Sequence, residues 1–170
     1  AQEVPEVESA LAISRGDQRP EGVLSIGERM LTARGIHAGE NFFNVLSYRL
    51  LHGNSKEVLA NKNSIVLSES LAQKIFPSAT EAIGQTLEWK DQRSEGSFLV
   101  TGVFSNPPAN STIQFNFIFP LQVLLDANPE SKEWYSSHAQ TLLVLQEGTN
   151  IEQLNRKIAK FIKGRHSLSS

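Results

Sequence analysis

Apolar and polar positions alternate along this chain in short blocks that predict an irregular series of strands and helices. Val7–Ile13 (VESALAI) reads as a first strand or a short helix. Gly22 and Gly27 bracket VLSI, a short strand, and 29–36 (RMLTARGI) reads as its continuation or its partner. Glu40–Leu51 carries Phe42, Phe43, Val45, Leu46, Leu50 and Leu51, dense enough for a short helix that runs into a core-facing strand. Gly53 ends it. Asn54 to Lys56 with Glu57 resembles a capping box, which predicts a short helix over SKEVLA. Ile65–Leu67 reads as a buried strand, and Ser68 as the N-cap of a helix ending at Phe76, because Pro77 cannot continue it.

The second half is patterned in the same way. Thr86–Lys90 and Ser97–Phe104 read as a strand pair joined by the polar turn Asp91–Gly96, and Pro107-Pro108 stops the second strand. Ile113, Phe115, Phe117 and Phe119 alternate with Gln114 and Asn116, the period-two pattern of a half-buried strand. Pro120 suits the first turn of a helix buried through Leu121, Leu124 and Leu125 and closed by Asn128-Pro129. Residues 126–139 read as a polar loop anchored by Trp134 and Tyr135, before a strand at Thr141–Leu145. The last element is an amphipathic helix. Asn150 and Gln153 suit its cap, Ile151, Leu154, Ile158, Phe161 and Ile162 its stripe, Glu152 with Arg156 an i,i+4 pair, and Gly164 its end. The interleaving predicts an α+β class.

Composition changes that picture little. At 170 residues the chain is one domain or two closely packed lobes. Sixteen Lys and Arg against eighteen Asp and Glu leave a net charge of −2, which gives no reason to expect a nucleic-acid partner. With no cysteine there is no disulfide, thiolate zinc site or Cys nucleophile. The longest apolar stretch, Phe117 to Leu125, is broken by Pro120 and Gln122 and falls far short of the about 20 residues of a membrane span. The N-terminal AQEVPEVES lacks the basic and apolar regions of a signal peptide, so the expectation is a soluble chain or a piece of a longer one.

Each familiar catalytic arrangement fails at its required spacing. Gly22-Val-Leu-Ser25-Ile-Gly27 is one residue too long for a nucleophile elbow around Ser25. His37, His52, His138 and His166 have no second ligand at helical spacing. A hydrolase site assembled from distant residues such as His138 and Asp126 would need a nucleophile, a base and oxyanion donors in reach of one another. No phosphate-cradling glycine motif is present. Glu3, Glu6 and Glu8 read as solvated rather than as a cation site, and Arg156, Lys157, Lys160, Lys163 and Arg165 as the polar face of the last helix. Phe115, Phe117 and Phe119 could line an apolar pocket, though strict alternation favours core. Asn110-Ser111-Thr112 matches a glycosylation triplet that matters only in a eukaryotic secretory setting. No catalytic, cofactor-binding or metal-binding residue is assigned, and no cofactor is expected.

Four segments taken in order carry a resemblance. They are Pro5-Glu6-Val7-Glu8; Phe42-Phe43-x-Val45-Leu46-Ser47-Tyr48-x-Leu50-Leu51-x-Gly53; Asn63 through Phe76 (NSIVLSESLAQKIF) with Ile83-Gly84-x-Thr86-Leu87; and Val100-Thr101-Gly102-Val103-Phe104 with Pro107 to Ser111. This order resembles the periplasmic core domain of MacB-type ABC transporter permeases, the group with FtsX-like and lipoprotein-releasing permeases. The likeness runs from about residue 5 to 163. Each motif also has a plain fold-building role, with Gly102 marking a bulge or close approach in its strand.

The resemblance implies an extracytoplasmic domain inserted between the first two membrane helices of a permease, with two lobes. A porter-like lobe would comprise Ala1–Arg49 and Ile113–Ser170, and an inserted β-rich lobe Leu50–Thr112. It implies no enzymatic activity in this chain, because ATP would be hydrolysed on a separate cytoplasmic subunit or domain. Expected partners are a second permease copy or half, that ATP-binding subunit reached through membrane helices, and a periplasmic adaptor protein. Lacking the flanking helices, the chain would be an excised segment, with strands at its ends missing or abbreviated and an open sheet edge able to pair with another copy. The alternative is a free periplasmic ligand-binding or sensor module with a deep apolar pocket.

Overall fold

The computed structural model describes residues 4–14, 16, 19–92, 94–128 and 139–166, with side chains as far as 160 in the last helix. Two compact units emerge, Leu11–Leu142 and a smaller one made of Ala1–Ala10 with Leu143–Ser170. The class is mixed α and β, mostly sheet with few helices.

In chain order the elements are β1 (Val7–Ser14), β2 (Glu21–Ile26), β3 (Arg29–Ala38), α1 (Phe42–Val45), β4 (Leu50–His52), β5 (Ser64–Ser68), α2 (Glu69–Ile75) and α3 (Ala79–Ala82). There follow β6 (Thr86–Lys90), β7 (Glu95–Phe104), β8 (Phe117–Pro120), α4 (Leu121–Ala127), β9 (Ala139–Leu145) and α5 (Ile151–His166). The first segment is thus a strand. The chain at 29–36 is the antiparallel partner of β2, turned back through Gly27 at φ 56°, a left-handed position that favours glycine.

The larger unit is organised around a closed ring of six strands. The order β2-β6-β7-β5-β8-β3 returns to its start because β3 pairs with β2. Backbone directions confirm the closure. Gly35 N–H donates to Pro20 O at 2.8 Å on the β2 side, whereas Arg34 O accepts from Asn116 N–H at 2.7 Å on the β8 side. The N–H and C=O of the one peptide group between Arg34 and Gly35 therefore serve opposite edges, and the ring leaves no free edge there. β5–β7 and β3–β8 are parallel and the other ring pairs antiparallel. Beyond the ring, β7 also pairs with β4, and Ala38 of β3 with Ile13 of β1.

The ring interior is filled. Leu24, Ala33, Ile65, Leu67, Leu87, Trp89, Phe98, Val100, Phe117 and Phe119 form one buried cluster, joined by Leu71, Ala72 and Ile75 of α2 and by its C-cap Phe76. Trp89 packs edge-on to Phe117 at 5.0 Å, and Phe98 lies 4.2 Å from Phe119. Gly35 admits this packing, since a Cβ there would lie 2.3 Å from the Phe117 ring. A second cluster, including Leu11, Ile36, Phe42, Val58, Val66, Phe104, Phe115 and Ile118, covers the outer side of the central strands.

That second layer corrects the half-buried strand expected over Ile113–Phe119. Only 117–120 is strand, and all four residues are buried. β8 lies between β3 and β5, so Phe117 and Phe119 enter the ring while Ile118 joins the outer cluster. Alternation ends where both faces are covered.

Two helix expectations also change. The helix expected over SKEVLA is a run of turns: Glu57 N–H and Val58 N–H both reach Asn54 O, and Asn54 Oδ1 accepts from Lys56 N–H. Six residues are too few to hold a helix alone, and the segment is instead pinned by buried Val58 and Leu59. Val58 packs so near Gly102 that a Cβ there would be 2.9 Å from it, and the pairing register shifts beside this glycine. Gly164 does not end the last helix, which runs to His166, since an interior glycine costs only about 1 kcal/mol. Its expected stripe is incomplete as well, with Leu154 buried but Ile151 exposed.

The expected caps of α2 and α5 are present. Ser68 Oγ accepts from Leu71 N–H, and Asn150 Oδ1 from Gln153 N–H. The anchors Trp134 and Tyr135 lie outside the described residues.

Candidate functional site

The residues weighed for chemistry are scattered. Ser25 sits mid-strand in β2, opposite Met30 and Glu88. His37 is buried in β3, where its backbone N–H donates to Ser14 Oγ at 3.0 Å and its ring lies 6.0 Å from Phe119. His52 is half-buried in β4 opposite Val103. His138 and the His166 side chain lie outside the described residues. Asp126 binds Lys62 at 3.3 Å and takes an N–H from Gln122 at 2.6 Å, an arrangement that fixes α4 rather than a base. Among the described residues no three His, Asp or Glu side chains gather as a metal site would require. Phe115, Phe117 and Phe119 are core, divided between the two clusters. Asn110 is exposed in the turn before Ser111, whose Oγ donates to Ile113 O.

Two grooves of the larger unit carry polar side chains. One, of about 320 Å³, is lined by Glu21, Thr32, Arg34, Ser70, Asn106 and Asn116. Its polar atoms are engaged with one another: Arg34 pairs with Glu21 at 2.7 Å, and Asn106 Oδ1 accepts from Ser70 N–H at 3.0 Å. The other, of about 310 Å³, is lined by His37, Asp91, Ser94, Phe119, Val123 and Leu124 among others. Asp91 accepts from Trp89 Nε1 and from Ser94 N–H and Oγ, which shapes the β6–β7 turn.

In the smaller unit, β1 and β9 are neighbours in the sheet order, and Gln146 N–H donates to Glu6 O at 3.0 Å. The Glu6 carboxylate also accepts a hydrogen bond from Lys157 Nζ in α5. That bond, with a backbone hydrogen bond of its own and the charge of Lys157, holds the Glu6 pKa below its ordinary value against the opposing effect of burial. So the acidic set Glu3, Glu6 and Glu8 does not act as a unit. Glu6 is ion-paired, Glu8 is exposed, and Glu3 lies outside the described residues. The basic helix face divides too: Arg156 pairs with Glu152 at 3.9 Å, Lys157 with Glu6, and Lys160 is exposed, while the Lys163 and Arg165 side chains are outside the described residues. The sequence reading missed the Glu6–Lys157 pair because its partners are 151 positions apart.

Known proteins share this fold. The MacB-like periplasmic core domain family matches residues 1–161. No curated protein matches the chain by sequence. Among solved structures, a domain of a putative permease protein from Porphyromonas gingivalis is similar with a TM-score of 0.79 and 21% identity, over 95% of this chain and 72% of that one. The periplasmic region of MacB from Actinobacillus actinomycetemcomitans gives a TM-score of 0.66 and 19% identity, over 96% of this chain and 69% of that one. The extracellular domain of the noncanonic ABC-type transporter YknZ from Gram-positive bacteria gives 0.59 and 15%, over 96% and 79%. Among the described residues no helix is long and apolar enough to cross a membrane. This chain belongs to the MacB-like periplasmic core domain family, the extracytoplasmic part of ABC-type permeases.

Proposed function

We propose that this domain is a non-catalytic coupling element. ATP hydrolysis on a separate cytoplasmic subunit or domain moves membrane helices that flank it, and the domain moves with them as a rigid body. Against a second permease copy or half and a periplasmic adaptor, that motion expels or hands over a substrate. Transmission of this kind needs a stiff body and two docking states, and no reacting side chain. The observation that carries the reading is the family match across residues 1–161. Stiffness is supported by the six-stranded ring closed around Trp89, Phe98, Phe117 and Phe119.

The two-lobe division, 1–49 with 113–170 against 50–112, belongs to the same proposal. In its favour, both ends of the chain contribute to one compact unit. Against a hinge at those boundaries, the ring draws β2, β3 and β8 from one lobe and β5, β6 and β7 from the other. Limited proteolysis decides between them: independent lobes are cut first near 50 and 113.

The coupling function is tested with the whole permease and its ATP-binding subunit in vesicles. Replacing this domain by a short linker should leave ATP hydrolysis and abolish export. Export at the unaltered rate would refute the proposal. So would a reading frame lacking flanking apolar segments of about 20 residues, which would leave a free periplasmic binding or sensor module.

A further inference from the structure

We propose that Glu6 is an ionic latch, tying the two terminal segments of the chain together through Gln146 and Lys157 and carrying load between them. The load-carrying role rests on the coupling function proposed above; the latch itself does not. Glu6 holds both partners at once. Its backbone carbonyl accepts from Gln146 N–H at the end of β9, and its carboxylate Oε1 accepts from Lys157 Nζ in α5. One residue just before β1 therefore grips the residue that follows the last strand and the last helix. Beside the β1–β9 pairing, this crossing joins the two chain segments, 1–10 and 143–170, that compose the smaller unit.

The environment of the carboxylate makes the latch asymmetric. Oε2 is shielded from solvent and has no donor among the described residues, so the charge is held first by Lys157, with a backbone hydrogen bond of Glu6 beside it. The Lys157 side chain is 52% exposed and that of Glu6 only 25%. Removing the lysine strands a half-shielded carboxylate, whereas removing the acid leaves an ammonium group free to hydrate. Lys157→Met should therefore loosen the smaller unit more than Glu6→Gln. A contact serving only local packing would show no such order, and a charge exchange would not restore it.

The test uses Glu6→Gln, Lys157→Met and the exchanged pair Glu6→Lys with Lys157→Glu. In the 170-residue chain, hydrogen exchange at the Gln146 amide reads the latch. Protection should fall about two- to fivefold in Glu6→Gln, as for a single partly exposed ion pair, further in Lys157→Met, and recover at least halfway in the exchanged pair. Unchanged protection in both single variants, or no recovery on exchange, would overturn the latch. In the reconstituted permease the same variants should lower export per ATP hydrolysed, with recovery in the exchanged pair. If replacing the domain abolishes export but the single variants do not lower it, the load-carrying role fails while coupling stands. If replacing the domain leaves export intact, coupling fails, and hydrogen exchange still judges the latch.

Discussion

Replacing Gly35 by alanine should cost stability through the Phe117 ring rather than through backbone strain. Gly35 lies in β3 opposite Phe117 of β8, without the left-handed φ of Gly27, Gly53, Gly84 or Gly148. The new Cβ would stand 2.3 Å from Phe117 Cε2 and 2.5 Å from both Cδ2 and Cζ, where ordinary contact needs more than 3.4 Å. Phe117 has little room to retreat, because Trp89 lies 5.0 Å and Phe119 4.8 Å from it, centroid to centroid. Overpacking of a filled core costs about 1–3 kcal/mol. The stiffer unfolded chain returns about 0.4–1 kcal/mol of that. The net loss is then about 1–2 kcal/mol, or a few degrees in Tm for a chain of this size.

Urea unfolding followed by tryptophan fluorescence reports on this site through Trp89. Trimming the obstruction with Phe117→Leu should make the pair strongly non-additive, the double variant losing less than the two single losses combined. An unchanged or raised midpoint in Gly35→Ala, or simple additivity in the double variant, would refute the packing argument.

Other substitutions probe separate ties. Ser68→Ala removes the cap on Leu71 N–H and should cost about 0.5–2 kcal/mol by thermal unfolding. Thr101→Val removes the hydroxyl that donates to Val58 O at 2.7 Å, and should cost about 0.5–1.5 kcal/mol while raising protease sensitivity in the turns at 54–60. The lowered pKa of Glu6 gives a signed pH dependence. The carboxylate is more acidic folded than unfolded, so its contribution is fully present above the ordinary value of 4.5 and is lost as pH falls through the folded value. The acid limb of a stability–pH profile should therefore flatten in Glu6→Gln, and an identical limb would contradict the pairing.

Much of the fold was legible where a local rule acts alone. Ser68 before an apolar run ending at Pro77 predicted α2 and its cap, and Asn150 the cap of α5. The pair β6–β7 followed from two apolar runs around the polar stretch at Asp91, whose side chain does close that turn. What failed depended on distant residues. Ile118 looks no different from an outward-facing position until the Phe42–Phe104–Phe115 layer covers it. SKEVLA has helical propensity, but Val58 is held against Gly102 from 44 positions away in the chain. Closure of the ring through β2 and β3 has no local signature, since β2 must pair on both edges. The Glu6–Lys157 tie was not legible, because its halves lie at opposite ends of the sequence.

Rigid-body movement is the claim on which the coupling function turns, and paired spin labels measure it directly. The chain has no cysteine, so exposed Glu28 and Asn110 of the larger unit can be replaced by cysteine and labelled without competition within the domain. The distance between them is then measured in the whole reconstituted permease, without nucleotide and with ATP trapped on its partner subunit. Rigid-body coupling predicts that this distance shifts by less than about 1–2 Å, while the distance between Glu28 labels on two copies changes clearly. A large change within one domain, or no change between copies, would contradict it.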